Sequence, residues 1–312
     1  MKGWSRMSIE RLQQQIRAKK NPTMVSLDPV ASRLPAHLLE EATGKHGETL
    51  SALAHAYETF SFGILDALRD LVPAVKVQAG CFQALGRDGA AALETVLAYA
   101  RALGYYVLLD TAASPTPITG EALAQACFGG IAVGAQRFTP LACDGLSLQP
   151  YQGSDSVKPL LPYLREDKSL FLVARSANKS AREMQDLLSG DRVVHQVVID
   201  LAMRWCGERY GKSGYAGIGV VLSGTQPDFL KRFRKKYDRL FFLVPGYGSW
   251  GAYGKDVQHA FDLAGHGAVV CAGRTLLYAY EKSGGDGRDY QETARKAAEK
   301  MRDNILQYIE VL

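Results

Sequence analysis

Eight short runs of apolar and β-branched residues, each bounded by turn residues, punctuate this sequence. They are Thr23 to Asp28, Ala74 to Ala79, Tyr106 to Asp110, Asp144 to Leu148, Leu170 to Arg175, Ile218 to Ser223, Leu240 to Val244 and Ala268 to Cys271. Between them lie stretches of helical period, among them Leu50 to Leu71, Gly89 to Ala102, Arg182 to Leu188, Val193 to Tyr210, Pro227 to Tyr237 and Asp256 to Ala264. Strands that alternate with helical crossovers run parallel, and eight such units predict a closed (β/α)8 TIM barrel of the α/β class. A doubly wound open sheet is the competing arrangement. It more often carries a glycine-rich fingerprint after its first strand, where this chain has Leu27-Asp28-Pro29.

A barrel of about 250 residues is an ordinary single-domain size. The 312 residues leave room for an extra N-terminal helix within the amphipathic, charged Met1 to Lys20, and for a C-terminal helix after the glycine-rich surface loop Ser283 to Asp289. No Pro, Gly or Ser linker interrupts the series, so one domain over 1–312 is expected. The stretch Pro115 to Thr119, with two prolines, predicts a rigid loop after the third strand.

Charge excludes some partners. A net charge of +5 is spread along the chain, and its densest run, Lys231, Arg232, Arg234, Lys235 and Lys236, alternates with Phe229, Leu230 and Phe233. That is the solvated face of an amphipathic helix rather than a nucleic-acid patch. The five cysteines, Cys81, Cys127, Cys143, Cys206 and Cys271, are widely spaced, without a CxxC pair or a Cys/His ligand spacing. They predict reduced core thiols in a cytoplasmic protein, with no metal site. No run approaches the ~20 apolar residues of a membrane span, and no apolar leader core opens the chain.

In barrels the active site lies at the C-terminal ends of the strands, which makes Asp28, Lys76, Asp110, Arg175 and Arg274 candidates. Lys76 interrupts an otherwise apolar strand and is hard to explain by packing, and an ion pair with Asp110 would offset its desolvation. Pro245-Gly246-Tyr247-Gly248-Ser249-Trp250-Gly251 follows the seventh strand and Arg274 the eighth. Backbone amides of a glycine loop with one arginine at those two places suit a phosphate.

Val25-Ser26-Leu27-Asp28-Pro29 with Arg33-Leu34-Pro35, Val72-Pro73-Ala74-Val75-Lys76-Val77-Gln78, Pro150-Tyr151 with Gly153 and Asp155-Ser156, Arg175-Ser176-Ala177-Asn178, Val244-Pro245-Gly246-Tyr247-Gly248, and Gly267-Ala268 onward to Arg274 recur in a known order and spacing. Across essentially the whole chain they resemble the longer bacterial form of orotidine 5'-monophosphate decarboxylase. The resemblance implies a cofactor-independent, homodimeric barrel of pyrimidine synthesis that binds a phosphorylated pyrimidine nucleotide and converts orotidine monophosphate to uridine monophosphate and CO₂. It implies that Asp28 contacts the ribose, that Lys76 and Asp110 form half of a Lys-Asp-Lys-Asp charge network, and that Arg274 holds the phosphate. Thr119, Ser176, Pro245, Gly246, Gly248 and Trp250 fall on ligand-side positions by the same resemblance.

Where the family reads Asp-Ala-Lys-Arg-Gly-Asp-Ile, this chain reads Asp110-Thr111-Ala112-Ala113-Ser114-Pro115-Thr116. The proton-donating lysine therefore falls on Ala112, the second aspartate on Pro115, and a ligand-touching glutamine on Trp250. Decarboxylation leaves negative charge on a pyrimidine carbon and needs a cation aimed at it, so strongly impaired or lost activity is expected. A ligand-sensing or regulatory paralogue or an enzyme of altered chemistry, a decarboxylase with an unusual site, and a structural partner of an intact decarboxylase are the three readings. A second copy with Asp-x-Lys-x-x-Asp in the same genome favours the first or third, and its absence favours the second.

Overall fold

Eight parallel strands close on themselves in the computed structural model, which describes residues 8–165, 167–282 and 284–312. In chain order they are β1 (Thr23–Leu27), β2 (Ala74–Gln78), β3 (Tyr106–Asp110), β4 (Gly145–Leu148), β5 (Ser169–Arg175), β6 (Ile218–Leu222), β7 (Phe242–Pro245) and β8 (Ala268–Ala272). Each pairs with its sequence neighbours, and β8 returns to β1 through Thr23 opposite Val270. All eight coincide with the runs read from sequence to within two residues at either end, and the fold is a (β/α)8 barrel.

Alternation along each strand divides the core into two layers. Val25 and Leu27, Val75 and Val77, and Val107 and Leu109 pack outward against the helices. Met24, Ala74, Tyr106 and Leu108 belong instead to the cluster inside the barrel, with Phe171, Phe241, Leu243 and Val269. Ile9, Leu12 and Ile16 of the N-terminal helix Ser8–Lys19 join this inner cluster and plug its lower end. The helix is fastened by Arg11 Nη1, 2.6 Å from Asp144 Oδ1, and by Ser8 Oγ, which donates to the Asp144 carbonyl at 2.9 Å. Asp144 also accepts from the Val107 amide at 2.8 Å, which ties the plug to the strands.

Several local readings need correction. Pro115 to Thr119 is not wholly a loop: Pro117–Ala124 is a helix with Thr116 as N-cap, because proline at the first helical position lacks only an amide that would be unpaired anyway. The helix expected from Arg182 ends at Gln185, and Leu188–Ser189 pairs with Arg192–Val193 as a small hairpin. Asp256 to Ala264 holds only the short helix Gly254–Val257 and a 3-10 turn. Helix Ala36–His46 and hairpin Ile131–Val133/Gln136–Phe138 were not foreseen. Helix Pro227–Lys236 forms as expected, but Arg234 is no part of a solvated face: it donates to the carbonyls of Ala260, Tyr237, Asp238, Leu240 and Gly267. The C-terminal helix is Tyr290–Leu306; Ser283 of the preceding loop and Met1 to Met7 lie outside the described residues. Among the described residues no helix is long and apolar enough to cross a membrane, and all five cysteines are free.

If the N-terminal helix closes the barrel floor, Leu12→Ala should cost about 2–5 kcal/mol, the range for truncating a fully buried leucine. Urea unfolding reads this as a lower midpoint, and an unchanged midpoint would place the helix outside the cooperative core.

Candidate active site

The alternation that buries Met24, Ala74 and Tyr106 carries Ser26, Lys76, Gln78 and Asp110 on the same inward side, nearer the C-terminal mouth. In register, Lys76 lies opposite Ser26 and Leu108, and Gln78 lies opposite Asp110. The Lys76 side chain therefore climbs toward the mouth to meet Asp110, with Nζ 2.7 Å from Asp110 Oδ2 and 2.9 Å from Gln78 Oε1. Burial opposes the ammonium charge, yet the fields of Asp110 and Asp28 outweigh it and hold Lys76 above the usual lysine range. Asp110 uses its other oxygen to accept the Ala112 amide at 3.2 Å. Gln78 was missed from sequence, although it stands two residues from Lys76 on the same strand face.

Asp28 follows β1 at the rim. Burial pushes its carboxyl up from the ordinary range, with Lys76 and Arg274 pulling the other way, and its Oδ1 is buried without a hydrogen-bond partner. Gly273 makes room for it: a Cβ there would stand 2.2 Å from Asp28 Oδ1. Any side chain at 273 would displace the carboxylate.

Ser26, Asp28, Lys76, Pro245, Gly246 and Arg274 line one cavity of about 130 Å³, with Tyr247, Ser249, Trp250 and Cys271 among the other residues of its wall. Burial raises the Cys271 thiol to about 12, so it stays protonated and is no ready nucleophile. Gly246 and Gly248 have φ of +112° and +69°, in the left-handed region that favours glycine. The loop is partly self-satisfied: the Gly248 amide donates to the Ala252 carbonyl at 2.9 Å, and the Ser249 amide to Thr275 Oγ1 at 2.9 Å. Thr275 sits so close that a Cβ on Gly248 would lie 2.4 Å from its hydroxyl. An anion here would depend on Arg274 more than on those two amides.

Arg274 is exposed and, among the described residues, makes no ion pair; its guanidinium lies 4.9 Å from the centre of the Trp250 ring. Trp250 is 45% exposed, so its indole forms a wall of the cavity rather than a plug.

The remaining candidates lie apart from this cavity. Ala112 is exposed on left-handed backbone with φ +49°, and Pro115 is buried beside helix Pro117–Ala124. The Thr119 hydroxyl is occupied in the Thr116 capping box, accepting the Thr116 amide at 2.8 Å. Ser176 hydrogen-bonds Asn178 and Gln185. Arg175 is a structural residue: buried, it pairs with both oxygens of Asp186 at 2.8 and 3.0 Å, a partner eleven residues away that sequence spacing did not suggest.

Fold and mouth together define a (β/α)8 barrel with a charged, small cavity at its C-terminal end. No family model matches the chain. It is 31% identical over 288 residues to orotidine 5'-phosphate decarboxylase of Rhodopirellula baltica, covering 91% of this chain and 93% of that protein. It is 34% identical over 252 residues to the protein of the same name from Clostridium perfringens strain SM101, covering 80% and 84%. A solved structure from Streptomyces avermitilis, described as an orotidine 5'-phosphate decarboxylase, superposes with a TM-score of 0.76 at 26% identity, over 99% of this chain and 98% of that one. The chain belongs to the orotidine 5'-phosphate decarboxylase family.

A carboxylate oxygen buried without a partner, as Asp28 Oδ1 is, destabilises the folded chain. Because the folded-state pKa of Asp28 is raised, its cost is present when the group is ionised and vanishes as acid protonates it. Asp28→Asn should therefore stabilise the unliganded protein at pH 7, with the gain shrinking as pH falls toward about 4, the ordinary carboxylate range. Denaturation at the two pH values checks this; a loss of stability at both would make Asp28 a structural support.

Proposed function

We propose that this chain binds a phosphorylated pyrimidine nucleotide in the Lys76–Arg274 cavity, as a homodimeric, cytoplasmic member of pyrimidine metabolism. We further propose that it decarboxylates orotidine monophosphate far more slowly than members with the intact Asp-x-Lys-x-x-Asp signature, or not at all. One observation carries the second half: among the described residues, the cations at the cavity are Lys76 and Arg274, and Lys76 is already held by Asp110 and Gln78. Position 112, where the resemblance puts the proton-donating lysine, is an alanine. Alanine offers neither charge nor proton to a developing carbanion, and a positioned general acid alone is worth about 10²–10⁴ in rate. Pro115 removes the second aspartate in the same way. The names of the relatives, and an Arg274 that makes no ion pair among the described residues beside a glycine loop, support the nucleotide.

A second reading is favoured by Lys76 itself, which lines the cavity with Asp28: a decarboxylase in which this ammonium leaves Asp110 to protonate the product. Turnover separates the two. Protein purified from a host lacking its own decarboxylase should consume orotidine monophosphate, followed by absorbance, well below the 1–10³ s⁻¹ of an ordinary enzyme, roughly speaking. A rate inside that range establishes the second reading. Ala112→Lys with Pro115→Asp should raise a slow rate if the rest of the site is intact.

Ligand binding is read separately. Calorimetry with uridine monophosphate and with uridine should show a preference for the phosphorylated form, and Arg274→Ala should abolish that preference, at about tenfold or more for a charge-assisted contact. Equal affinities, or none for either, would remove the phosphate site from this reading.

A further inference from the structure

Trp250 borders a second cavity as well. The indole also lines a space of about 460 Å³ between the loops after β5 and β6, with Arg175, Asn178, Lys179, Arg182, Asp186 and Gln226. Its charge is lopsided. The acid in this lining, Asp186, is neutralised by the bidentate Arg175 pair, and the His195 Nδ1, shared with the Gln185 carbonyl, lies 3.1 Å from Asp186 Oδ1. Burial opposes the Asp186 charge, but Arg175 and His195 together hold the carboxyl below its ordinary range. Lys179 and Arg182, by contrast, make no ion pair or side-chain hydrogen bond with any described residue, and two cations are left facing an open space.

The neutral groups are directed too. Ser176 Oγ donates to Asn178 Oδ1 at 2.6 Å, which fixes the amide and leaves its NH₂ as a donor. The Gln226 side chain makes no hydrogen bond among the described residues and adds a second amide. Unpaired cations, an amide donor held in place, a second free amide and a neutralised acid are the chemistry that receives an oxyanion.

We propose that this cavity is a second anion subsite, separated from the Arg274 cavity by the Trp250 indole, and that it takes a phosphate-type oxyanion on a small molecule. The subsite is built from residues of the β5 and β6 loops and does not depend on what the Arg274 cavity binds. Lys179 and Arg182 are exposed, so the attraction is screened by salt and is strongest at low ionic strength. The shared indole gives the site its own optical reporter.

Pyrophosphate titrated at low salt into the Arg274→Ala protein is the test, since this protein lacks the cation of the first cavity. One equivalent should bind, with a change in fluorescence that Trp250→Phe removes. Lys179→Ala combined with Arg182→Ala should weaken this binding about tenfold or more, as expected for losing charge-assisted contacts. Asn178→Asp, which truncates neither cation and sets a carboxylate in the cavity, should give a comparable loss. Failure of Arg274→Ala to bind pyrophosphate, or binding indifferent to both the double variant and Asn178→Asp, overturns the subsite. The preference for uridine monophosphate over uridine is measured on the protein with Arg274 intact, so the two sites stand or fall independently.

Discussion

Closure of eight strands into a barrel leaves each strand one face toward the axis and one toward the helices, and the rest of this molecule follows from that division. The outward set is filled with Val25, Leu27, Val75, Val77, Val107 and Leu109, so the helices pack on it without polar interruption. The inward set changes character along the axis. Met24, Ala74, Tyr106 and Leu108 fill the lower interior, where the N-terminal helix excludes water, whereas Ser26, Lys76, Gln78 and Asp110 occupy the same face nearer the mouth. Lys76 is tolerated there because Asp110 stands within 2.7 Å; an ammonium on this face without that carboxylate would bear its desolvation unrelieved.

The same division sets what could be read from the sequence. Strands buried on both faces appear as continuous apolar runs, so their positions were visible, as were the charges that break or end them. Which cation is held by a carboxylate and which is left open was less visible. Arg175 and Arg274 both follow barrel strands, yet Arg175 is consumed by Asp186 whereas Arg274 has no carboxylate among the described residues. Arg234 looked like part of a basic surface, but its guanidinium collects five carbonyls from loops that only the folded chain brings together. Partners distant in sequence decide each case, and strand periodicity carries no information about them. Pro117 misled for a different reason: proline marks loops and first helical positions alike, and the Thr116–Thr119 capping box was the cue that separates them.

What remains unsatisfied at the mouth indicates which part of the site is intact. Lys76 has two partners and Asp110 has Lys76 and the Ala112 amide, so the charge pair is complete within the chain. Asp28 Oδ1 and the Arg274 guanidinium, by contrast, have no hydrogen-bonding partner among the described residues, and both belong to the rim. The buried Asp28 oxygen costs stability while it lacks a partner, whereas the exposed Arg274 is met by solvent. Proton delivery needs an N–H aimed at the reacting carbon, and two of the directions around Lys76 Nζ are already taken by Asp110 and Gln78. At position 112 the chain has an alanine, which adds neither a charge nor a proton to this pair.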